Sequence, residues 1–140
     1  MRALGIDLGS KRIGIAVSDR SGTIASPLTV VRRSGSKRRD HEAIARLVTE
    51  EEAELVVVGL PLNMTGTAGP AATAAESEAR ALATVVGVPV VTFDERRSTV
   101  TADRVLLDAG RRAPDRRKVV DQIAAAVILQ HWLDTRAASS

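Results

Sequence analysis

GIDLGSKRIGIAVSD, residues 5–19, is the stretch that decides how this chain folds. Residues 2–8 and 12–18 read as two strands joined by a tight turn at Gly9-Ser10-Lys11. Asp7 sits inside the first strand, between Ile6 and Leu8. An ionised carboxylate in a strand interior is costly unless it is paired or holds a metal. A strand that opens a domain with an acid at a core position therefore marks a candidate site.

Working outward, Asp19-Arg20-Ser21-Gly22 is a second turn signal, and residues 23–31 form a third strand. Pro27 removes a ladder donor from that strand, which places it at the sheet edge. Asp40 is then expected to cap a short surface helix that opens with His41. Its apolar stripe is Ile44, Leu47 and Val48, with Glu42, Glu50 and Glu51 outside. Residues 55–60, LVVVGL, are continuously apolar, as in a parallel strand covered on both faces. A loop at 61–69 (PLNMTGTAG) leads into an Ala-rich helix from Pro70, with Ala75, Ala79, Leu82 and Val86 along one side and Gly87 ending it. Residues 88–93 are another buried strand. Ser98 or Thr99 caps a helix running to Gly110, and a last helix spans about residues 118–135.

This order predicts an α/β fold: one mixed five-stranded sheet with three antiparallel strands, then parallel crossovers, and helices on both faces. A chain of 140 residues supports one domain with a real core, taken as residues 1–135 with a frayed tail at 136–140. No run approaches the ~20 apolar residues of a membrane span. The opening MRALGID goes straight into strand-like sequence, so no leader peptide and no membrane partner are expected. The absence of cysteine excludes disulfides, thiolate metal sites and a cysteine nucleophile. A cytoplasmic location is the simplest expectation.

The sequence pI of 10.2 overstates the positive charge, because no Tyr or Cys titrates between His and Lys and the net charge is only +3. Distribution is the better guide. Residues 32–39 (RRSGSKRR) and 111–118 (RRAPDRRK) hold ten of the twenty basic residues in two loop-like segments. Either these are solvated loops, or they form a surface for a phosphate backbone.

Two further acids stand in unexpected company. In the last helix Asp121, Ala125, Ile128 and Trp132 recur every three or four residues, so they share one stripe. Ile128 and Trp132 make it the buried stripe and point Asp121 at the sheet; the alternative is that Asp121, in the first turn, complements the helix dipole. Glu95 lies just past the strand at 88–93, at the sheet edge where ligand sites gather. Asp94 and Glu95 must point in different directions, and the plain reading of Glu95 is a solvated partner of Arg96 or Arg97. Three acids from separate elements make a hard-oxygen cage suited to Mg²⁺. Two such ions ~3.5–4 Å apart activate water and stabilise the leaving oxygen of a phosphodiester. His41 and His131 lack partners at metal-binding spacing. Gly9-Ser10-Lys11-Arg12 and the Gly-rich loop at 63–69 are candidate phosphate cradles, or plain connections. With Phe93 and Trp132 the only aromatics, a base-stacking platform is not expected.

Four stretches, GIDLGSKRIGIAVSD, VVGLPLNMTGT, DERRST and VDQIAAAVILQ, resemble the signature blocks of the YqgF-type pre-16S rRNA nucleases, also described as Holliday-junction-resolvase-like. They span nearly the whole chain in the family's order and spacing. The resemblance implies an RNase H-like fold, a divalent-metal site with one or two Mg²⁺ or Mn²⁺ ions, and a role in maturing the 5′ end of small-subunit rRNA. Carried over by position, the family's catalytic and metal-binding acids fall on Asp7, Glu95 and Asp121. Nucleic-acid contacts are expected from Lys11, Arg12, Asn63, Thr65, Gly66, Arg96, Ser98, Thr99, Arg116, Arg117 and Lys118. The chain departs from the family at Arg97, where Leu is common, and at Pro61-Leu62-Asn63, where related nucleases often place a further acid.

The expected activity is thus a metal-dependent endonuclease on structured RNA, pre-16S rRNA in particular, as a monomer or weak homodimer. Branched four-way DNA is the rival substrate. A non-catalytic rRNA-binding assembly factor would keep the fold and the basic loops. The opening block also resembles the phosphate-binding hairpin of the actin and sugar-kinase superfamily, but 140 residues leave no room for the second lobe those proteins need.

Overall fold

Ala3–Leu8 (β1) and Arg12–Ser18 (β2) pair antiparallel, with Leu4 opposite Val17 and Asp7 opposite Gly14. Ala25–Arg32 (β3) pairs antiparallel with β2, and Lys37–Glu50 (α1) then crosses to Leu55–Leu60 (β4), parallel to β1. Pro70–Val86 (α2) leads to Val90–Asp94 (β5), parallel to β4, and Arg116–Ser139 (α3) is the last helix. The strand order is β3-β2-β1-β4-β5, the mixed five-stranded sheet expected. The computed structural model describes residues 1–61, 69–94 and 116–139, with side chains 120–137 in the last segment. The helix expected between Ser98 or Thr99 and Gly110 lies outside the described residues.

Strand alternation sorts the core into two layers. Leu4, Ile6, Ile13, Ile15, Val56 and Val58 face α1 and α2, meeting Ile44, Val48, Leu82 and Val86. Ala3, Ala16 and Val57 face α3, meeting Ala125, Ile128, Leu129 and Leu133. The α3 layer uses small strand residues because the helix lies very close to the sheet. A Cβ on Gly5 would stand 2.6 Å from Leu129 Cβ and 2.8 Å from the Ala125 carbonyl oxygen. One on Gly14 would collide with the carbonyl oxygen of Asp121. Two glycines on adjacent strands thus form the groove that seats α3.

Pro27 lies on the edge strand β3, where its missing N–H breaks no central ladder. Two expectations for α1 need correction. Ser36, not Asp40, is the N-cap: its side chain accepts from the Arg39 amide. Asp40 is buried and turned back, accepting from the Ser34 amide at 3.0 Å and the Ser34 hydroxyl at 2.8 Å. His41 is not on a surface face but buried between α1 and α2. The basic segments are also less loop-like than their composition suggests, since Lys37, Arg38 and Arg39 form the first turn of α1, and the backbone of Arg116, Arg117 and Lys118 begins α3. Helix α3 continues to Ser139, past the expected end at Thr135. Among the described residues no helix is long and apolar enough to cross a membrane.

Candidate active site

Side chains directly opposite each other in an antiparallel pair project to the same face. Asp7 is opposite Gly14, and Gly14 is the position pressed against the Asp121 backbone of α3. Asp7 and Asp121 are therefore on one face, at the end of the sheet where β1, β4 and β5 all present their carboxyl ends. The small residues at 5 and 14 are what allow the helix carrying Asp121 to come that close.

Asp121 is the sixth residue of α3, beyond its first turn, which removes the helix-dipole explanation for an acid at this position. Its partner is Arg12 at the start of β2: Arg12 Nε donates to Asp121 Oδ2 at 2.7 Å. The two side chains are 24% and 23% exposed, so the pair is wet enough to reorganise yet close enough to orient the carboxylate. Asp121 Oδ1 has no partner among the described residues. Arg12 was expected to contact phosphate; in this structure its guanidinium faces the acid. Lys11 is exposed in the adjoining turn.

Asp94 can be set aside as a member of this face. It pairs with Leu60 in register, and neighbouring Phe93 packs in the α3 layer, so Asp94 projects to the α1–α2 side. Glu95, Asn63, Thr65, Gly66, Arg96, Ser98 and Thr99 lie outside the described residues, as do the side chains of Arg116, Arg117 and Lys118. Among the described residues no group of three or more His, Cys, Asp and Glu side chains is placed to hold a metal ion.

A second charged cluster escaped the sequence reading. Glu78 of α2, 6% exposed, accepts from Arg33 in a two-pronged pair, Nη1 to Oε2 at 2.6 Å and Nη2 to Oε1 at 3.0 Å. His41 Nε2 meets the same Oε2 at 2.8 Å. Burial pushes the Glu78 carboxyl up, but hydrogen bonds from Arg33 and His41 and the Arg33 charge outweigh it and hold it below the ordinary carboxylate range. A signal was available: Glu78 falls on the stripe of Ala75, Ala79 and Leu82, the same misplacement that drew attention to Asp121. Arg33 belongs to the basic segment 32–39, read as either a solvated loop or a phosphate-binding surface, and it is instead committed to this cluster. A cavity of about 560 Å³ lies against it, between the β1–β2 turn and α2.

The family model described as "RuvX: Holliday junction resolvase" matches residues 1–135. The chain belongs to the RuvX family. A "Putative pre-16S rRNA nuclease" of Myxococcus xanthus is 51% identical over 134 residues, covering 96% of this chain and 88% of the relative. A relative of the same description in Thermoanaerobacter pseudethanolicus is 42% identical, covering 97% of this chain and 98% of its own. Among solved structures, Thermus thermophilus RuvC in complex with a Holliday junction substrate superposes with a TM-score of 0.64 at 20% identity, over 99% of this chain and 98% of that one. That likeness establishes the shared RNase H-like fold. On this RuvX chain the described parts of the signature blocks are these. The first is β1, its turn and β2; the second includes the end of β4; the third starts at Asp94, the last residue of β5; the fourth is the sheet-facing part of α3.

Proposed function

We propose that this chain is a divalent-metal-dependent endonuclease that hydrolyses phosphodiester bonds of structured RNA in the 5′-end processing of pre-16S rRNA, acting in the cytoplasm. The observation that carries the reading is the placement of Asp7 and Asp121 on one face at the carboxyl edge of the sheet. Membership of a family of nucleases, with curated relatives named for pre-16S rRNA, supports both the reaction and the substrate class.

The donor set fits a hard cation. Both acids present carboxylate oxygens, the ligand type Mg²⁺ and Mn²⁺ prefer, and Arg12 leaves Asp121 Oδ1 available. Asp7 and Asp121 would hold the ion, with Glu95, next in sequence after Asp94, as the third carboxylate. When bound, the metal supplies water activation and neutralises charge developing on the scissile phosphate. The protein's own part is orientation. The closeness of α3 to β1 and β2 fixes the separation of the two acids. Arg12 turns the Asp121 carboxylate by holding one oxygen, and Lys11 beside it offers an exposed cation to a flanking phosphate.

The deciding assay is cleavage of a precursor 16S rRNA fragment with and without Mg²⁺ or Mn²⁺, against a four-way DNA junction at matched salt. Metal-dependent cutting of the RNA, lost in Asp7→Asn, is expected. Preference for the junction, with paired symmetric cuts, would replace RNA by branched DNA and require a two-fold dimer. Intact cleavage by Asp7→Asn would remove the mechanism.

A further inference from the structure

We propose that Arg33 is a positioning residue: it sets the Gly9-Ser10-Lys11 turn and thereby places Asp7 and Arg12 on either side of it. The proposal rests on the nuclease reading above. Arg33 reaches the turn twice. Its backbone N–H donates to the Lys11 carbonyl at 3.0 Å, and its side-chain Nε donates to the Gly9 carbonyl at 3.0 Å. Inside the turn, the Gly9 N–H donates to the carbonyl of Asp7 itself at 3.1 Å. The residue that grips Gly9 is thus one hydrogen bond from the backbone of a proposed metal ligand.

Among the described residues, the turn faces a cavity rather than a packed layer. The cavity of about 560 Å³ is lined by Leu8, Gly9 and Ser10 on one side and by Ala71 and Ala74 of α2 on the other. The Arg33 guanidinium bridges the turn to α2, spanning from Gly9 to Glu78. All three guanidinium nitrogens are engaged, Nε by Gly9 and the two Nη by Glu78, and His41 holds the same carboxylate from α1. Such a fork is fixed in plane and direction, which a single ammonium cannot reproduce. Buried ion clusters are a poor source of net stability, and apolar or neutral replacements often cost nothing. Orientation is what this one supplies.

The test compares wild type with Arg33→Lys and with the double variant Arg33→Met/Glu78→Gln. The double variant leaves no uncompensated buried charge and keeps a hydrogen-bonding group for His41. Three quantities are measured: kcat and KM for metal-dependent RNA cleavage, amide hydrogen exchange at Gly9 and Arg33, and the thermal midpoint. In both variants kcat should fall about 10- to 100-fold with KM within about twofold, as for a sub-ångström misplacement of reacting groups. Exchange at both amides should accelerate while the double variant keeps a near-wild-type thermal midpoint. A folded double variant with wild-type kcat, or with unchanged exchange in the turn, overturns the proposal. Arg33→Lys restoring full kcat would do so too, since it would reduce the role to charge. Wild-type protein that cleaves neither RNA nor junction overturns the nuclease reading instead. The exchange data then still decide whether Arg33 holds the turn.

Discussion

Arg12 Nε lies 2.7 Å from Asp121 Oδ2, joining the strand that pairs with Asp7 to the helix that overlies it. The bond crosses from residue 12 to residue 121, so it forms only when α3 is seated on the sheet. It also bears on how the two acids can be told apart from ordinary salt-bridge partners. A pair with both side chains about three-quarters covered contributes modestly to stability, on the order of 1 kcal/mol.

Asp121→Asn should therefore leave the fold almost unchanged while removing at least about 100-fold of the cleavage rate. Urea denaturation monitored by circular dichroism, beside the RNA assay, separates the two effects. A loss of activity matched by a large loss of stability would make Asp121 a structural residue.

Gly14→Ala should be among the most disruptive single-methyl changes in the chain. The added carbon meets the Asp121 carbonyl oxygen, part of a helix backbone that cannot rotate away. Overpacking of this kind costs about 1–3 kcal/mol or more, and it displaces Asp121 from Asp7, so cleavage should fall along with stability. Gly87→Ala, in open space at a left-handed helix end, should lower stability without touching activity.

Chelation with EDTA should abolish cleavage, and Mg²⁺ or Mn²⁺ should restore it. RNA affinity should weaken with added salt through phosphate contacts. Lys11→Ala should reduce the slope of log affinity against log salt by about 1. An unchanged slope would place Lys11 off the RNA path.

Acid stability should depend on Asp19. The Ser21 hydroxyl, and then the Thr23 and Ile24 amides, hydrogen-bond its carboxylate and lower its pKa from 3.8 to about 2. A folded-state pKa below the unfolded one means this stabilisation is complete above pH 3.8 and drains away as pH falls toward 2. Urea midpoints for wild type and Asp19→Asn should differ at neutral pH and converge across that window. Parallel midpoints down to pH 2 would show that the turn does not depend on the charge.

Much of this was legible along the chain. The hairpin of GIDLGSKRIGIAVSD and the apolar side of α2 follow from turn residues and a period of 3.6, and the doubly covered strand from the unbroken apolar run LVVVGL, all of which a run of about ten residues displays by itself. Asp7 and Asp121 stood out because an acid on an apolar stripe breaks the pattern. Glu78 breaks it in the same way, but its partners Arg33 and His41 are distant in sequence and no local pattern points to them. Asp is a good helix cap, which makes Asp40 the cap expected from residue type; Ser36 has the role because Asp40 is drawn inward to Ser34.

By itself, then, the sequence determined the elements, their order and which acids are out of place, because periodicity and residue type act over neighbouring positions. Only the tertiary structure decided which distant groups meet. Arg33 finds Glu78 across 45 residues and Arg12 finds Asp121 across 109. Asp94 is turned away from Asp7 by its register in β5. Those pairings depend on how closely α3 and α2 settle on the sheet. For α3 that distance is set by small residues, Gly5 and Gly14, on strands far from the helix in sequence, through packing that no local pattern records.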